Sequence, residues 1–138
     1  MKRVSEQRTS LREAALRALD NAYAPYSSFR VGAALRTRGG DLVVGCNIEN
    51  SAYGQAICAE TLAIASAVSQ GLADFEEIAI ATDDSEPTPP CGACRQVLHE
   101  FAPNIKISSY TRDGKEATWN LDELLPHAFA LNPSRGRV

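Results

Sequence analysis

The 138-residue sequence has no surplus of basic residues, no long hydrophobic run and only two histidines. It contains 14 lysines and arginines and 17 acidic residues, which gives a net charge of -3. This charge argues against a protein whose main task is to bind the phosphate backbone of nucleic acids. Residues 1–22 are charged and interrupted throughout, unlike the continuous apolar segment of a signal peptide or a transmembrane helix. Repeats and low-complexity tracts are also missing. We therefore expect a cytoplasmic protein with no nucleic-acid or membrane partner.

The length and composition favour one compact domain. A hydrophobic content of 44% is sufficient for a core, and 138 residues are too few for two domains that each bury a core of their own. We expect a single catalytic domain over residues 1–138, with a frayed tail at residues 132–138.

Three of the four cysteines are spaced as metal ligands. Without a secretory signal, a reducing compartment makes metal binding or catalysis a better interpretation of the cysteines than disulfides. Glu60 lies two residues beyond Cys58, and Cys91 and Cys94 form a Cys-x-x-Cys pair. A structural zinc usually has four protein ligands, whereas a catalytic zinc keeps one position for water. Three thiolates and an adjacent carboxylate therefore predict a catalytic site with one Zn²⁺ per subunit.

Other interpretations of the cysteines remain open at this point. A Cys-x-x-Cys pair alone also occurs in redox dithiols and structural zinc fingers. Cys46 could complete a four-thiolate site in a non-catalytic zinc module that binds a partner, although a small buried hydrophobe is the simpler interpretation. His99 and His127 have no Cys or Asp partner at catalytic spacing, which indicates surface or interface positions.

Hydrophobic spacing and turn residues predict the order of helices and strands. Ser10 and Glu13 form a candidate capping box for a first, amphipathic helix. The apolar positions of this helix are Leu11, Ala15, Ala18, Leu19 and Ala22. The other predicted elements are a hairpin of residues 29–35 and 42–47, a helix from Cys58 to near Gly71, a strand at 77–82, a helix at 91–101, strands at 105–110 and 117–119, and a terminal helix at 121–129.

This order of elements predicts an α/β fold, a three-layer α-β-α sandwich with a mixed central sheet. The later crossovers place strands in parallel and helices on both faces of the sheet. Cys58 and Cys91 begin two of these helices, so the ligands meet at one end of the sheet, where open α/β sheets hold their sites.

The residues beside the ligands suit charge compensation and proton transfer. Three thiolates outweigh the charge of Zn²⁺ by one unit, and the positive ends of two helices and Arg95 can offset this excess. The spacing of Glu60 from Cys58 turns its carboxylate away from the ligand direction but leaves it within reach of a zinc-activated water.

These residues form part of a longer pattern that resembles the zinc-dependent cytidine deaminases, in particular their small homotetrameric branch that acts on nucleosides. The matching segments lie between Ala24 and Phe129 and are Pro25-Tyr26-Ser27, residues 29–34, residues 45–50, Tyr53-Gly54, residues 57–60, residues 90–98 and Leu124-Leu125-Pro126. The resemblance implies the cytidine deaminase fold and a hydrolase of pyrimidine salvage. Its reaction would convert cytidine and 2'-deoxycytidine to uridine and 2'-deoxyuridine with release of ammonia.

The resemblance also implies roles for single residues. Cys58, Cys91 and Cys94 hold the zinc, and Glu60 moves protons to the pyrimidine N3 and to the departing amine.

Substrate contacts are implied for four residues. Phe29 matches the aromatic side chain that lines the pyrimidine pocket, and the backbone of Ala59 matches an amide contact to the base. Asn47 and Glu49 match the ribose-binding pair, and an amide with a carboxylate can satisfy a hydroxyl that both donates and accepts.

Tyr53 and Phe129 match positions that reach into a neighbouring subunit's pocket. The resemblance thus implies a homotetramer with composite active sites. From the residues alone, the alternatives are a surface position for a tyrosine in a polar loop and a core position for a phenylalanine near the carboxyl terminus.

Thr61 departs from the family pattern, which usually has an arginine directly after the catalytic glutamate. Since that arginine helps to neutralise the thiolates and only Arg95 remains, we expect more uncompensated negative charge here and activity at higher pH. Alternatively, Thr61 hydrogen-bonds a sulfur or leaves room for a bulkier substrate.

Related deaminases with other substrates are the competing functions. Modified or N4-substituted cytidines, nucleoside analogues and blasticidin all suit the same metal site, although Asn47 and Glu49 favour an ordinary nucleoside. A deaminase that edits polynucleotides would need a basic strand-tracking surface, which the acidic composition does not indicate.

Overall fold

In a computed structural model of the chain, residues 3–131 are described, with side chains from residue 11 onward. The helices are α1 (Arg3–Leu19), α2 (Ala59–Ser69), α3 (Gly92–Phe101) and α4 (Leu121–Leu124), with a short 3₁₀ helix at Tyr53–Gln55. The strands are β1 (Val31–Thr37), β2 (Leu42–Cys46), β3 (Phe75–Thr82), β4 (Lys106–Thr111) and β5 (Glu116–Asn120).

The five strands form one mixed sheet in the order β2-β1-β3-β4-β5. β3 and β4 are parallel, and the other neighbouring pairs are antiparallel. The parallel pair requires a crossover, which α3 supplies between the end of β3 and the start of β4. With α1 on one face and α2 and α3 on the other, the predicted three-layer α/β sandwich with a mixed sheet is confirmed.

The face beneath α1 is built from small side chains. Ala34 of β1 and Ala79 and Ala81 of β3 are fully buried against this helix. Gly32 lies at the closest approach, since a Cβ there would be 2.1 Å from the carbonyl oxygen of Ala15. The alanine and glycine positions thus let α1 approach the sheet closely.

The opposite face carries the large aliphatic side chains, because side chains alternate along each strand. The almost completely buried strand residues on this face are Leu35, Ile78, Ile80 and Ile107. The helices add Ile64, Leu98 and Leu121 to the same cluster. Full burial of such a side chain contributes roughly 1.5–3 kcal/mol. This cluster fixes α2 and α3 side by side over the sheet.

The loop between β2 and α2 is tied to the rest of the fold by main-chain bonds. Ile48 pairs with Tyr23 and with Ile57 as isolated bridges. Gly45 in β2 lies under the start of α2, where a Cβ would be 2.4 Å from the carbonyl oxygen of Ala59. These contacts place the start of α2 at the end of β2.

The terminal helix is shorter than predicted. α4 ends at Leu124 rather than near Phe129, and Leu125 has φ -141° and ψ 69°. Pro126 explains this end, because a proline ring disfavours helical conformation at the preceding residue. Glu123 accepts a hydrogen bond of 2.8 Å from the Asn120 N–H and supports the helix start.

Two expectations for the first helix are wrong. It begins at Arg3, so Ser10 lies within the helix and does not cap it, and it ends at Leu19, before Ala22. The predicted frayed tail at 132–138 lies outside the described residues. None of the helices within residues 3–131 is long and apolar enough to cross a membrane.

Candidate active site

Three cysteines converge where α2 and α3 begin. Cys58 is the N-cap of α2, Cys91 is the N-cap of α3, and Cys94 lies in the first turn of α3. The three sulfurs lie within 4.8 Å of one another, and those of Cys58 and Cys91 are 4.0 Å apart. The predicted ligands are therefore together in space.

This arrangement fits zinc. Thiolate ligands suit Zn²⁺, and Zn–S bonds of about 2.3 Å in a tetrahedral site separate the sulfurs by about 3.8 Å. In the part of the chain that the structure describes, the metal-ligand cluster comprises only Cys58, Cys91 and Cys94. Cys46 does not join it, and burial raises the pKa of this thiol. The donor set is thus that of a zinc site with three protein ligands and a fourth coordination position.

The thiols lie close enough to shift one another's pKa. Hydrogen bonding with Cys94 and then with Cys91 lowers the pKa of Cys58 to about 6, against the opposing effect of burial. Hydrogen bonding with Cys58, together with burial, raises the pKa of Cys94. A divalent ion needs these sulfurs as thiolates, so its binding would release their protons.

Glu60 lies beside the sulfurs in the first turn of α2 and is only 5% exposed. Burial raises its pKa to about 7, and the nearby Cys58 adds to the effect. A carboxyl group with a pKa near neutrality can both accept and donate a proton. Its position and burial agree with the predicted proton-transfer role.

Cys58, Cys91 and Glu60 open onto a cavity of about 320 Å³, and Cys94 is buried behind them. The lining residues are Ser27, Phe29, Val31, Asn47, Glu49, Cys58, Ala59, Glu60, Ile80, Thr88, Pro89 and Cys91. Most of the predicted substrate-binding residues thus lie in one cavity with the metal ligands, and the volume is in the range of small-ligand sites.

Asn47 organises the cavity wall as well as lining it. Its side-chain amide donates to the carbonyl oxygen of Phe29 at 2.8 Å, and its side-chain oxygen accepts from the Val31 N–H at 2.8 Å. The amide keeps one further N–H and one further lone pair for a ligand. Asn47 therefore also fixes the position of Phe29.

Glu49 is held in the cavity by the segment before β1. Its carboxylate accepts hydrogen bonds from the Tyr26 N–H at 2.8 Å, the Ser27 N–H at 3.1 Å and the Ser27 hydroxyl. The Ser27 hydroxyl and the two N–H groups lower the pKa of Glu49 against partial desolvation, so the group is anionic at neutral pH. A fixed carboxylate of this kind is a hydrogen-bond acceptor for a hydroxyl.

Arg95 makes other contacts than the expected bond to a sulfur, whereas Thr61 makes the sulfur contact that was one of its alternatives. Arg95 donates to the carbonyl oxygens of Pro90 at 2.8 Å and of Leu124 at 2.9 Å, and no hydrogen bond to a sulfur is described for it. Arg95 instead ties the loop before Cys91 to α4. The Thr61 hydroxyl is the group near a ligand, 3.4 Å from the Cys94 sulfur.

Tyr53 and Phe129 lie outside the 320 Å³ cavity and are 78% and 67% exposed. Tyr53 packs edge-on against Tyr26 with ring centroids 6.0 Å apart, beside a second hollow of about 180 Å³ that shares Glu49 with the main cavity. The carbonyl oxygen of Phe129 accepts a hydrogen bond of 3.0 Å from the Gln96 side chain. Both rings thus face outward within this chain.

The sequence argument missed part of the cavity wall. The wall also includes Val31, Ile80, Thr88 and Pro89. The Ser109 hydroxyl donates a hydrogen bond of 2.7 Å to the Thr88 carbonyl oxygen. The prolines directly before Cys91 were a signal that this loop faces the site. The strand residues carried no such signal, because a wall residue and a core residue look alike in sequence.

Comparison with known proteins agrees with this geometry. The family described as "Cytidine and deoxycytidylate deaminase zinc-binding region" matches residues 5–109. The chain is 44% identical over 125 residues to a cytidine deaminase of Halalkalibacterium halodurans, covering 88% of this chain and 93% of the relative. It is also 44% identical over 117 residues to a cytidine deaminase of Sporosarcina psychrophila, covering 83% and 85%.

A crystal structure of cytidine deaminase from Burkholderia pseudomallei superposes with a TM-score of 0.85 at 43% identity, covering 88% of this chain and 98% of that one. The matched residues include all three cysteines and Glu60. The chain therefore belongs to the zinc-binding cytidine and deoxycytidylate deaminase family.

Proposed function

We propose that this chain is a zinc-dependent hydrolase that converts cytidine and 2'-deoxycytidine to uridine and 2'-deoxyuridine and releases ammonia. The observation that carries the proposal is the buried Glu60 beside three clustered sulfurs at one cavity of about 320 Å³. Zinc held by Cys58, Cys91 and Cys94 would activate a water molecule and polarise the site. In the overall reaction the oxygen of water adds at C4 and a proton adds at N3, and the C4–N4 bond then breaks so that ammonia leaves and a C4 carbonyl forms.

The chain's own part in the chemistry is proton movement by Glu60. Its carboxylate accepts the two protons of the water one after the other, passing the first to the pyrimidine N3 and the second to the departing amine. Burial keeps bulk water from competing for these protons, and the adjacent cavity gives the ring a place within reach of the carboxylate.

Recognition of the nucleoside is assigned to the cavity wall. Phe29 provides an apolar surface for the base, and the main chain of Ala59 offers polar groups to it. Asn47 and Glu49 hold the sugar hydroxyls, because each keeps hydrogen-bonding capacity beyond its contacts within the chain. Free cytosine lacks these sugar contacts and should be a poor substrate.

A turnover assay tests the assignment. The purified protein is analysed for zinc and incubated with cytidine, deoxycytidine, cytosine, N4-substituted cytidines and blasticidin, and loss of the cytidine absorbance is followed. Zinc-loaded protein should deaminate the two nucleosides. Failure to turn over either nucleoside would refute the proposal, and a preference for blasticidin or N4-substituted cytidines would redirect it to those substrates.

Glu60→Gln separates catalysis from metal binding. The variant should bind one zinc per chain and lose roughly 10²–10⁴-fold in turnover, the usual contribution of acid–base catalysis. Glu76→Gln, at an exposed position in β3, is the matched control and should keep both zinc and activity. A Glu60→Gln enzyme with undiminished turnover would exclude the proton-transfer role.

We also propose that the enzyme is a homotetramer with composite sites, and that each chain is one catalytic domain working in the cytoplasm. The exposed rings of Tyr53 and Phe129 support the first part, because large exposed aromatic groups often mark interfaces. The two cores on the faces of one sheet support a single domain. Four free cysteines suit a reducing compartment.

Mixing two inactive variants tests the composite site. Chains with Glu60→Gln and chains with Phe129→Ala should each have low activity, and co-assembly should restore part of it if Phe129 serves a neighbour's site. Glu60→Gln mixed with Asn47→Ala is the control, since both residues line the same cavity of one chain. Equal activity of the two mixtures, or a monomer by light scattering, would contradict the composite site.

A further inference from the structure

Cys94 is the most enclosed of the three zinc-ligand cysteines. It has no exposed surface, whereas Cys58 and Cys91 are exposed. Solvent can therefore stabilise negative charge on two of the sulfurs but not on the third. The charge on the Cys94 sulfur must be balanced by the protein and the metal.

The Thr61 hydroxyl makes a hydrogen-bond contact with this sulfur. Its Oγ1 lies 3.4 Å from the Cys94 Sγ, within the range of hydrogen bonds to sulfur. Thr61 lies in the first turn of α2, so no preceding helical turn offers its hydroxyl a carbonyl acceptor. Here the described partner lies on α3, while Thr61 itself belongs to α2.

The direction of this bond is fixed once metal is bound. A coordinating cysteine is a thiolate and can only accept, so Thr61 must donate. Cys58 is then also a thiolate, and an ionised Glu60 adds a negative charge rather than a donor. The Arg95 guanidinium, next in the chain, is directed to main-chain oxygens.

We propose that Thr61 is a positioning residue of the zinc site, whose hydroxyl donates to the Cys94 thiolate and strengthens retention of the metal. The inference rests on the zinc site of the proposed function. It is independent of which nucleoside that site accepts.

Zinc affinity measured by competition with a chromophoric chelator tests the proposal. Thr61→Val keeps the shape of the side chain without its hydroxyl and should weaken zinc binding by roughly 10–100-fold, the usual effect of losing a partner of a ligand. Thr61→Ser keeps the hydroxyl and should bind zinc nearly as tightly as the wild type. With Co²⁺ in place of zinc, the sulfur-to-metal absorption band should shift in Thr61→Val and not in Thr61→Ser.

Thr37→Val is the matched control. Thr37 is also buried and also bonded through its hydroxyl, which accepts from the Asp41 N–H at 2.9 Å, but it ends β1 at the far end of the sheet. It should leave zinc affinity unchanged. If Thr61→Val does not fold, Thr61→Ala against Thr61→Ser makes the same comparison.

The outcomes separate this proposal from the proposed function. Unchanged zinc affinity in Thr61→Val, or an equal loss in Thr61→Ser, would overturn the role of the hydroxyl while wild-type turnover stands. Wild-type protein that binds zinc without deaminating nucleosides would refute the proposed function. The zinc affinities of Thr61→Val and Thr61→Ser would still test the role of the Thr61 hydroxyl.

Discussion

Replacing Gly45 with alanine tests whether the close contact between β2 and α2 positions the catalytic helix. The new Cβ would be 2.4 Å from the Ala59 oxygen and 2.8 Å from the Ala63 nitrogen, both main-chain atoms that cannot rotate away. Ordinary contact begins at 3.4 Å, so the helix start must move by about 1 Å. Cys58 and Glu60 flank Ala59 and would move with it.

The size of the effect follows from that displacement. Overpacking of this kind costs about 1–3 kcal/mol. For a domain of this length, each kcal/mol lowers Tm by about 4 °C, so we expect a loss of roughly 4–12 °C. A misplacement of about 1 Å at catalytic groups costs on the order of 100-fold in rate, and kcat/KM should fall by about that factor.

Gly32→Ala is the matched control, because it is equally crowded but on the other face of the sheet. Its Cβ would lie 2.1 Å from the Ala15 oxygen of α1, a helix that carries none of the candidate site residues. Thermal unfolding and kcat/KM for cytidine should be measured on zinc-loaded protein. Both variants should lose Tm, and only Gly45→Ala should lose most of its activity. Wild-type kcat/KM in Gly45→Ala, or equal losses in both, would refute this reasoning.

Two further predictions concern charges around the site. Hydrogen bonds from Arg112 and Arg30 lower the pKa of Asp83, although burial opposes them. Because the folded-state pKa is depressed, this stabilisation is present above the ordinary aspartate pKa of about 3.9 and is lost as the pH falls through the folded value. Thermal unfolding of Asp83→Asn should therefore show a lower Tm than the wild type at pH 7 and converge with it in acid; a constant difference would contradict this. Arg95→Met should weaken zinc binding by about 10-fold in chelator competition, because the guanidinium ties the loop before Cys91 to α4; unchanged affinity would show that the loop holds its position without it.

The metal ligands could be predicted from sequence because the information is local. Cys91 and Cys94 stand three residues apart at a helix start marked by prolines, and Cys58 follows a turn-rich loop. The alternation of large and small residues in β3 likewise indicated a strand. The prediction of a helix to Phe129 was wrong although the cause of the earlier end, Pro126, is also local.

Contacts between elements could not be predicted in this way. The sequence placed Arg95 beside a sulfur because it follows Cys94, but its side chain reaches back to Pro90 and across to Leu124. A bond from Thr61 to a sulfur was one of the alternatives left open by the sequence, because the contact with Cys94 depends on how closely α2 and α3 pack. Position along one helix does not determine that distance.

Cys58 and Cys91 occupy the N-caps of α2 and α3 without making side-chain capping bonds. Serine, threonine, aspartate or asparagine there would typically contribute ~1 kcal/mol each, so the chain forgoes this stabilisation at two helices. Instead the two sulfurs lie 4.0 Å apart at the starts of both helices, at a separation that one metal ion can bridge. A metal that binds these thiolates only in the folded state stabilises the fold by a free energy that grows with the logarithm of its affinity. The absence of polar caps at these two helices thus makes the stability of the chain depend on zinc more than a pair of well-capped helices would.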